Sequence, residues 1–275
     1  MKIVEVPGMS YPDWEQLFLP RAAKALNLDL LHLTSNTAPL KIPVPTMITL
    51  HDIIYMEKLS FTGTTYQNFG NLYRRWNVPN VLKKSKKVIT VSHFEKEHIL
   101  KRFPQLEGKL EVVHNGVSPI FSKKEQRHKE VNEVIEAYQL PPAFLFFLGN
   151  MAPKKNMKGV LKAYNHYLKI SQNNLPLVIA ETKGDELDKM LKERKLENIR
   201  PQLILTGYIP QHYLPVFYST CSLFLYPSLR ESFGMPIVEA MACGTPVITA
   251  NTSSMPEVAG DAAWLVDPKS PLAIG

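Results

Sequence analysis

With 275 residues, 45% of them hydrophobic and 21% charged, the chain is long enough to bury the cores of two domains and too apolar for a disordered one. No apolar run approaches bilayer-spanning length, and the first residues lack the basic, apolar and small-residue succession of a secretory leader, so the expected compartment is cytoplasmic. Cys221 and Cys243 sit in apolar contexts without metal-ligand spacing, which argues against a disulfide framework and for reduced core thiols.

In chain order, apolar β-branched runs at Leu28–Leu33, Thr46–Leu50, Lys87–Val91 and Leu110–Val113 are separated by stretches long enough for helices, the rhythm of a parallel sheet. Of the net charge of +7, most lies before Ser122, where 15 Lys and Arg face 10 Asp and Glu. Much of this excess is in Arg74-Arg75-Trp76 and Lys83-Lys84-Ser85-Lys86-Lys87, near Tyr66, Phe69 and Tyr73. A solvated helix face with its aromatics turned into the core is the simplest reading, and attraction to anionic lipid or a polyanionic acceptor is the alternative. No nucleic-acid-binding motif accompanies the charge, so nucleic acid is not an expected partner. Ser92-His-Phe-Glu95 reads as a capping box opening a helix.

The segment from Pro119 to Arg127 is polar and broken, and a helical stretch, Glu130–Gln139, follows it, so the domain boundary is expected after Ser122. This divides the chain into 1–122 and 123–275. From Phe144 the βα rhythm restarts, with strands near Phe144–Leu148, Leu177–Ala180, Leu203–Thr206, Leu223–Tyr226, Val247–Thr249 and Trp264–Val266. A second doubly wound unit of this kind binds ligands outside the carboxyl ends of its strands.

Glu231-Ser-Phe-Gly-Met-Pro-Ile-Val-Glu239 follows the strand Leu223–Tyr226 and is the most informative stretch. Gly234 and Pro236 suit a first helical turn, whose free N–H groups favour an anion. Glu231 then lies on the loop and Glu239 about one turn inside the helix. In isolation, two acids around a helix start are more often solvated or capping groups.

Taken in order, Ile48-Thr-Leu-His-Asp52, Val88-Ile-Thr-Val-Ser92, Val113-His-Asn-Gly-Val117, Phe147-Leu-Gly-Asn150 with Pro153-Lys-Lys-Asn156, Gly207-Tyr-Ile-Pro210, Tyr226-Pro-Ser-Leu-Arg-Glu231 and the Glu231–Glu239 motif resemble family four of the retaining glycosyltransferases. Within that family the chain is most similar to bacterial mannosyltransferases of surface-polysaccharide assembly. The resemblance runs from about Trp14 to Pro268. It implies an α/β GT-B fold of two doubly wound Rossmann-like domains facing a cleft, the second gripping a nucleotide-diphosphate sugar and the first supplying the acceptor side. It also implies transfer of a hexose, mannose favoured, with retention of configuration, to a glycan or lipid-linked acceptor, without a metal or other cofactor.

On the same resemblance Lys154 and Lys155, with the helix start at Ser232, Phe233 and Gly234, compensate the diphosphate. Glu239 takes the ribose hydroxyls and Glu231 approaches the transferred sugar. His51 stabilises the sugar from the first domain, and Gly207 and Tyr208 offer groups to the base. Asn150 stands where relatives often carry Arg, removing one phosphate ligand. Asn115 and Gly116 are cleft-lining candidates, although a turn requiring positive φ explains Asn-Gly equally well. Relatives begin with a strand and a glycine-rich loop ahead of the Trp14 region and continue past Asp267 into long helices, so the N-terminal domain is expected to be partial and the C-terminal helices missing. Two other readings follow: a truncated, weakly catalytic sugar-nucleotide-binding module working with a partner, and a sugar-nucleotide epimerase of the same fold.

Overall fold

The computed structural model describes residues 3–57, 65–122 and 128–275. Met1, Lys2 and the part of the expected linker at 123–127 lie outside the described residues. The chain forms two compact units, one ending at His114 and the other beginning at Asn115. The division falls ahead of the expected one because Phe121, 3% exposed, belongs to the second unit's core, its ring 6.0 Å from that of Tyr218.

In the first unit β1 (Leu31–Leu33), β2 (Thr46–Thr49), β3 (Lys87–Thr90) and β4 (Leu110–Val112) are parallel and lie in that order. The helix Thr65–Lys84 leads towards β3 and His93–Arg102 follows it, opened by Ser92, whose Oγ accepts from the Glu95 N–H at 3.1 Å. The connection from β1 to β2 departs from expectation, for residues 34–45 contain no helix. Pro39, Pro43 and Pro45 lack the N–H a helix needs, and side chains hold the segment instead. Buried Asn77 accepts from the Ala38 N–H at 3.1 Å and donates to its carbonyl at 2.8 Å, while Gln16 Oε1 accepts from Leu40 N–H at 2.9 Å.

The aromatic expectation is also corrected in part. Of the three rings expected inside, Tyr66 and Phe69 on the helix Thr65–Lys84 are exposed, whereas Tyr73 is half-buried and its hydroxyl donates to Glu15 Oε2 at 2.5 Å. Trp76 is exposed as well, and Val78, Val81 and Leu82 point into the core. Those three aliphatic residues, at three-to-four spacing, already fill the inward face, so the exposed rings fall on a different one.

In the second unit six parallel strands, β5 (Leu145–Leu148), β6 (Leu177–Ala180), β7 (Leu203–Gly207), β8 (Leu223–Tyr226), β9 (Val247–Ala250) and β10 (Trp264–Val266), take the order 10-9-8-5-6-7. Both faces of the central strands β5, β6 and β8 are covered, which is why they read as continuous apolar runs, whereas Trp264 and Leu265 of the edge strand β10 are exposed. Phe146, Val178, Phe224 and Tyr226 face one core with the helices Leu214–Thr220 and Met235–Ala242. Leu145, Phe147, Leu177, Ile179 and Leu225 face the other, covered by Met157, Val160, Leu161 and Tyr164 of the helix Met157–Ile170. The alternation follows from the two-residue period of a strand. The strand order reverses between β5 and β8, and a doubly wound sheet opens its ligand crevice at the carboxyl ends of such a pair.

Candidate functional site

The loops leaving β5 and β8 meet at this reversal. After β5, Asn150 Oδ1 accepts from the Ala152 N–H at 3.0 Å, turning the chain into the short helical turn Pro153–Lys155. After β8, the Leu229 N–H donates to the Lys154 carbonyl at 2.7 Å and ties the two loops together. Asn156 adopts the left-handed conformation at φ 61° and sends Nδ2 to the carbonyls of Pro227 at 2.9 Å and Pro268 at 2.7 Å. One side chain thus holds three loops at the sheet edge.

Lys155 and Glu231 come together on this frame. Lys155 Nζ donates to Glu231 Oε1 at 2.9 Å and to the Tyr226 hydroxyl at 2.7 Å. Lys154 Nζ lies 4.0 Å from Glu231 Oε2, on a side chain 45% exposed against 18% for Lys155. The two lysines therefore differ: Lys155 is anchored and mostly desolvated, whereas Lys154 is a half-exposed arm. Burial, reinforced by the Glu231 carboxylate, pushes the Tyr226 phenol well above its ordinary range, so it remains a protonated hydroxyl.

The backbone of Glu231 is held as firmly as its side chain. Its N–H donates to Ser253 Oγ at 3.0 Å, and its carbonyl accepts from Ser253 Oγ at 2.6 Å and Ser254 Oγ at 2.9 Å. Ser254 Oγ also reaches the Phe233 carbonyl at 3.0 Å. The loop after β9 thereby fixes the approach to the helix Met235–Ala242. Gly234, at φ 101°, caps that helix, and a Cβ there would come within 3.0 Å of the Ile237 side chain, so only glycine turns this corner without strain. Ser232 is half-buried and Phe233 buried.

Glu239 lies on the helix Met235–Ala242, buried, with Oε2 accepting from the Tyr218 hydroxyl at 3.1 Å. Burial raises its carboxyl above the ordinary range, and the Tyr218 hydrogen bond opposes the shift. Gly207 ends β7 at φ 66° and its carbonyl accepts from the Glu181 N–H at 2.8 Å, while Tyr208 beside it is exposed. The second unit thus contains Asn150, Lys154, Lys155, Gly207, Tyr208, Ser232, Phe233, Gly234, Glu231 and Glu239 at or beyond the carboxyl ends of its strands.

In the first unit, His51 follows β2. Its Nε2 lies 2.9 Å from the Thr34 carbonyl, which can only accept, so Nε2 carries a proton and donates it there, leaving Nδ1 as the ring nitrogen that bond does not use. Its backbone N–H donates to Asn36 Oδ1 at 2.8 Å. Asn115 and Gly116 follow β4, and neither has positive φ, so the left-handed turn considered for Asn-Gly is not what they form. The sequence assigns no role to Tyr218, Ser253 and Ser254, nor to Tyr226 and Asn156, although the last two stand within the motifs that carry the resemblance. A buried tyrosine reads as core, and Ser253-Ser254 reads as an ordinary turn; only the paired Pro-Ser and Ser-Ser segments after adjacent strands hint at a shared edge.

Comparison with solved structures assigns the fold class. WaaG, a glycosyltransferase involved in lipopolysaccharide biosynthesis, superposes with a TM-score of 0.71 at 14% identity, covering 98% of this chain and 75% of that one. Anabaena Alr3699/HepE, solved in complex with UDP and glucose, gives 0.65 at 19% identity, covering 93% and 68%. The fold is therefore that of the GT-B glycosyltransferases. Within them, the chain belongs to the glycosyl transferases group 1 family, whose model matches residues 128–275, and residues 4–120 match the Glycosyltransferase Family 4 model. The O-antigen chain mannosyltransferase B of Escherichia coli is 31% identical over 228 residues, covering 82% of this chain. The chain spans 58% of the length of that relative. No helix among the described residues is long and apolar enough to cross a membrane.

Proposed function

We propose that the protein transfers a hexose, mannose in the first instance, from a nucleotide-diphosphate sugar to a glycan or lipid-linked acceptor in polysaccharide assembly, with retention of configuration. The observation that carries the reading is the Lys155–Glu231–Tyr226 knot at the strand reversal, beside the start of the helix Met235–Ala242. The mannosyl donor is supported by the curated relative, and the uridine nucleotide and glucose in Alr3699/HepE support a sugar nucleotide as the class of ligand.

In this reading the diphosphate lies between the helix start at Ser232–Gly234 and the two lysines. As the bond to the sugar breaks, charge accumulates on the leaving phosphate, and the ammonium groups and backbone N–H groups stabilise it there. Glu231 holds Lys155 in place and receives a sugar hydroxyl, Glu239 accepts the ribose diol, and Gly207 and Tyr208 border the base. His51 offers Nδ1 to a hydroxyl of the transferred sugar. Two ammonium groups supply the counter-charge a divalent ion would otherwise bring, so we assign the reaction no metal or other cofactor.

The test is to incubate the protein with a panel of nucleotide sugars, GDP-mannose first, in excess chelator, and to determine the anomeric configuration of the product by NMR. Nucleoside diphosphate release and transfer with the donor's configuration are expected to persist under chelation. Loss of turnover restored by magnesium would remove the lysines from their assigned role.

The exposed Tyr66, Phe69 and Trp76, with the nearby Arg74, suit contact with an anionic membrane surface at which a lipid-linked acceptor would reside. Co-sedimentation with phosphatidylglycerol vesicles that weakens in salt is expected, and equal recovery with neutral vesicles would refute the electrostatic part.

A further inference from the structure

Glu15 is a buried carboxylate outside every role assigned above. It lies on the π-helical turn Trp14–Phe18 and is 1% exposed. No cation reaches it within ion-pair distance among the described residues; four neutral donors surround it instead. Oε1 takes the Thr37 hydroxyl at 2.5 Å and the Tyr11 hydroxyl at 3.0 Å, and Oε2 takes the Tyr73 hydroxyl at 2.5 Å and Gln16 Nε2 at 3.0 Å. Two hydrogen bonds on each oxygen use the carboxylate's full acceptor capacity.

The destination of these bonds gives the carboxylate its role. Thr37 is 4% exposed and sits in the helix-free connection between β1 and β2. Next to it, Asn36 Oδ1 accepts from the His51 N–H at 2.8 Å, and the Thr34 carbonyl accepts from His51 Nε2 at 2.9 Å. Asn36 Nδ2 also lies 3.4 Å from the Asp52 carbonyl. Residues 34–37 therefore contact Glu15 at one end and His51 at the other. A segment without helix or strand hydrogen bonds has little rigidity of its own, so the side chains that grip it set where the Thr34 carbonyl lies.

We infer that Glu15 is a positioning residue, which through Thr37 fixes the loop that orients the His51 imidazole and keeps the proton on Nε2. The inference rests on the assignment of His51 to the donor sugar only for its kinetic consequence; the placement of the ring and proton stands on the first unit alone.

The experiment compares the full chain with Thr37→Val, which keeps the side chain's shape but removes the donated hydrogen bond, and with Thr37→Ser, which keeps that bond. The His51 resonances are assigned with His51→Gln, and imidazole 15N shifts are followed against pH. In the wild type and in Thr37→Ser the Nε2-protonated tautomer is expected to dominate at high pH, and in Thr37→Val the two nitrogens are expected to move towards averaged shifts. Turnover is expected to fall on the order of 10- to 100-fold in kcat for Thr37→Val, the scale of a misplaced reacting group, and to recover in Thr37→Ser. Glu15→Gln, which turns a donor towards hydroxyls that already donate, is expected to reproduce the Thr37→Val spectrum. Unchanged His51 shifts in a folded Thr37→Val protein would overturn the positioning role, whatever the kinetics. Turnover surviving in His51→Ala would instead overturn the catalytic assignment of His51 while leaving the spectroscopic result intact.

Discussion

Replacing Lys155 with alanine is expected to lower donor turnover about 10²- to 10³-fold, the range found when one preorganised group aimed at developing charge is removed. The same change strips Glu231 of its close partner, leaving Lys154 at 4.0 Å on a half-exposed arm. Breaking a buried pair costs about 3–5 kcal/mol, and the partial exposure of this one brings the expected loss of stability to roughly 2–3 kcal/mol. Lys154→Ala should cost up to about tenfold in turnover and little stability, since a solvated charge is screened and pays entropy to be held. The double variant Lys155→Ala/Glu231→Gln, which removes the orphaned charge but keeps an acceptor for the sugar hydroxyl, separates the two effects. Removing the orphaned carboxylate is expected to recover much of the thermal midpoint but none of the turnover. If turnover returned with stability, Lys155 would be a structural residue, and the diphosphate would have to be met elsewhere.

The strand pattern was legible because both faces of the central strands β5, β6 and β8 are buried: runs such as Leu145-Phe-Phe-Leu148 and Leu177-Val-Ile-Ala180 cannot sit anywhere exposed. The loop at Glu231 and the helix starting at Met235 were equally legible, since Gly234 and Pro236 leave few alternatives for the backbone. The connection between β1 and β2 was not. Its structure depends on Gln16, Asn77 and Lys84, distant in sequence, satisfying backbone groups of Ala38 and Leu40. The distinction between Lys154 and Lys155 was also invisible, because adjacent lysines look alike until Tyr226 and Glu231 select one. Tyr66 and Phe69 on the helix Thr65–Lys84 misled for a related reason. Residue type suggested burial, but the aliphatic residues Val78, Val81 and Leu82 had already filled the inward face.

Glu239 carries the other large expected effect, and its pH dependence follows from its burial. Burial raises the carboxyl above its ordinary value of 4.5, so the native state holds the proton more tightly than the unfolded chain. Between that value and the raised one, stability therefore falls as pH rises, and above the raised value the cost of the buried charge is fully present. Donor binding should run the other way. The proposed contact to the ribose diol needs an ionised acceptor, so affinity should fall as pH drops through the same titration. Glu239→Gln removes the ionisation and still allows the Tyr218 hydroxyl an acceptor. It is expected to raise the thermal midpoint of the ligand-free protein at neutral pH and to flatten its pH dependence over the titration window. Glu239→Ala and Glu239→Gln are both expected to weaken the intact donor and the free nucleoside diphosphate alike, by roughly 1.5–3 kcal/mol, on the order of ten- to a hundredfold in Kd. Calorimetry at several pH values measures both ligands. Equal affinity of wild type and variants for donor and free nucleotide would remove Glu239 from the ribose, whereas weakening of the donor alone would move its contact from the nucleotide to the sugar.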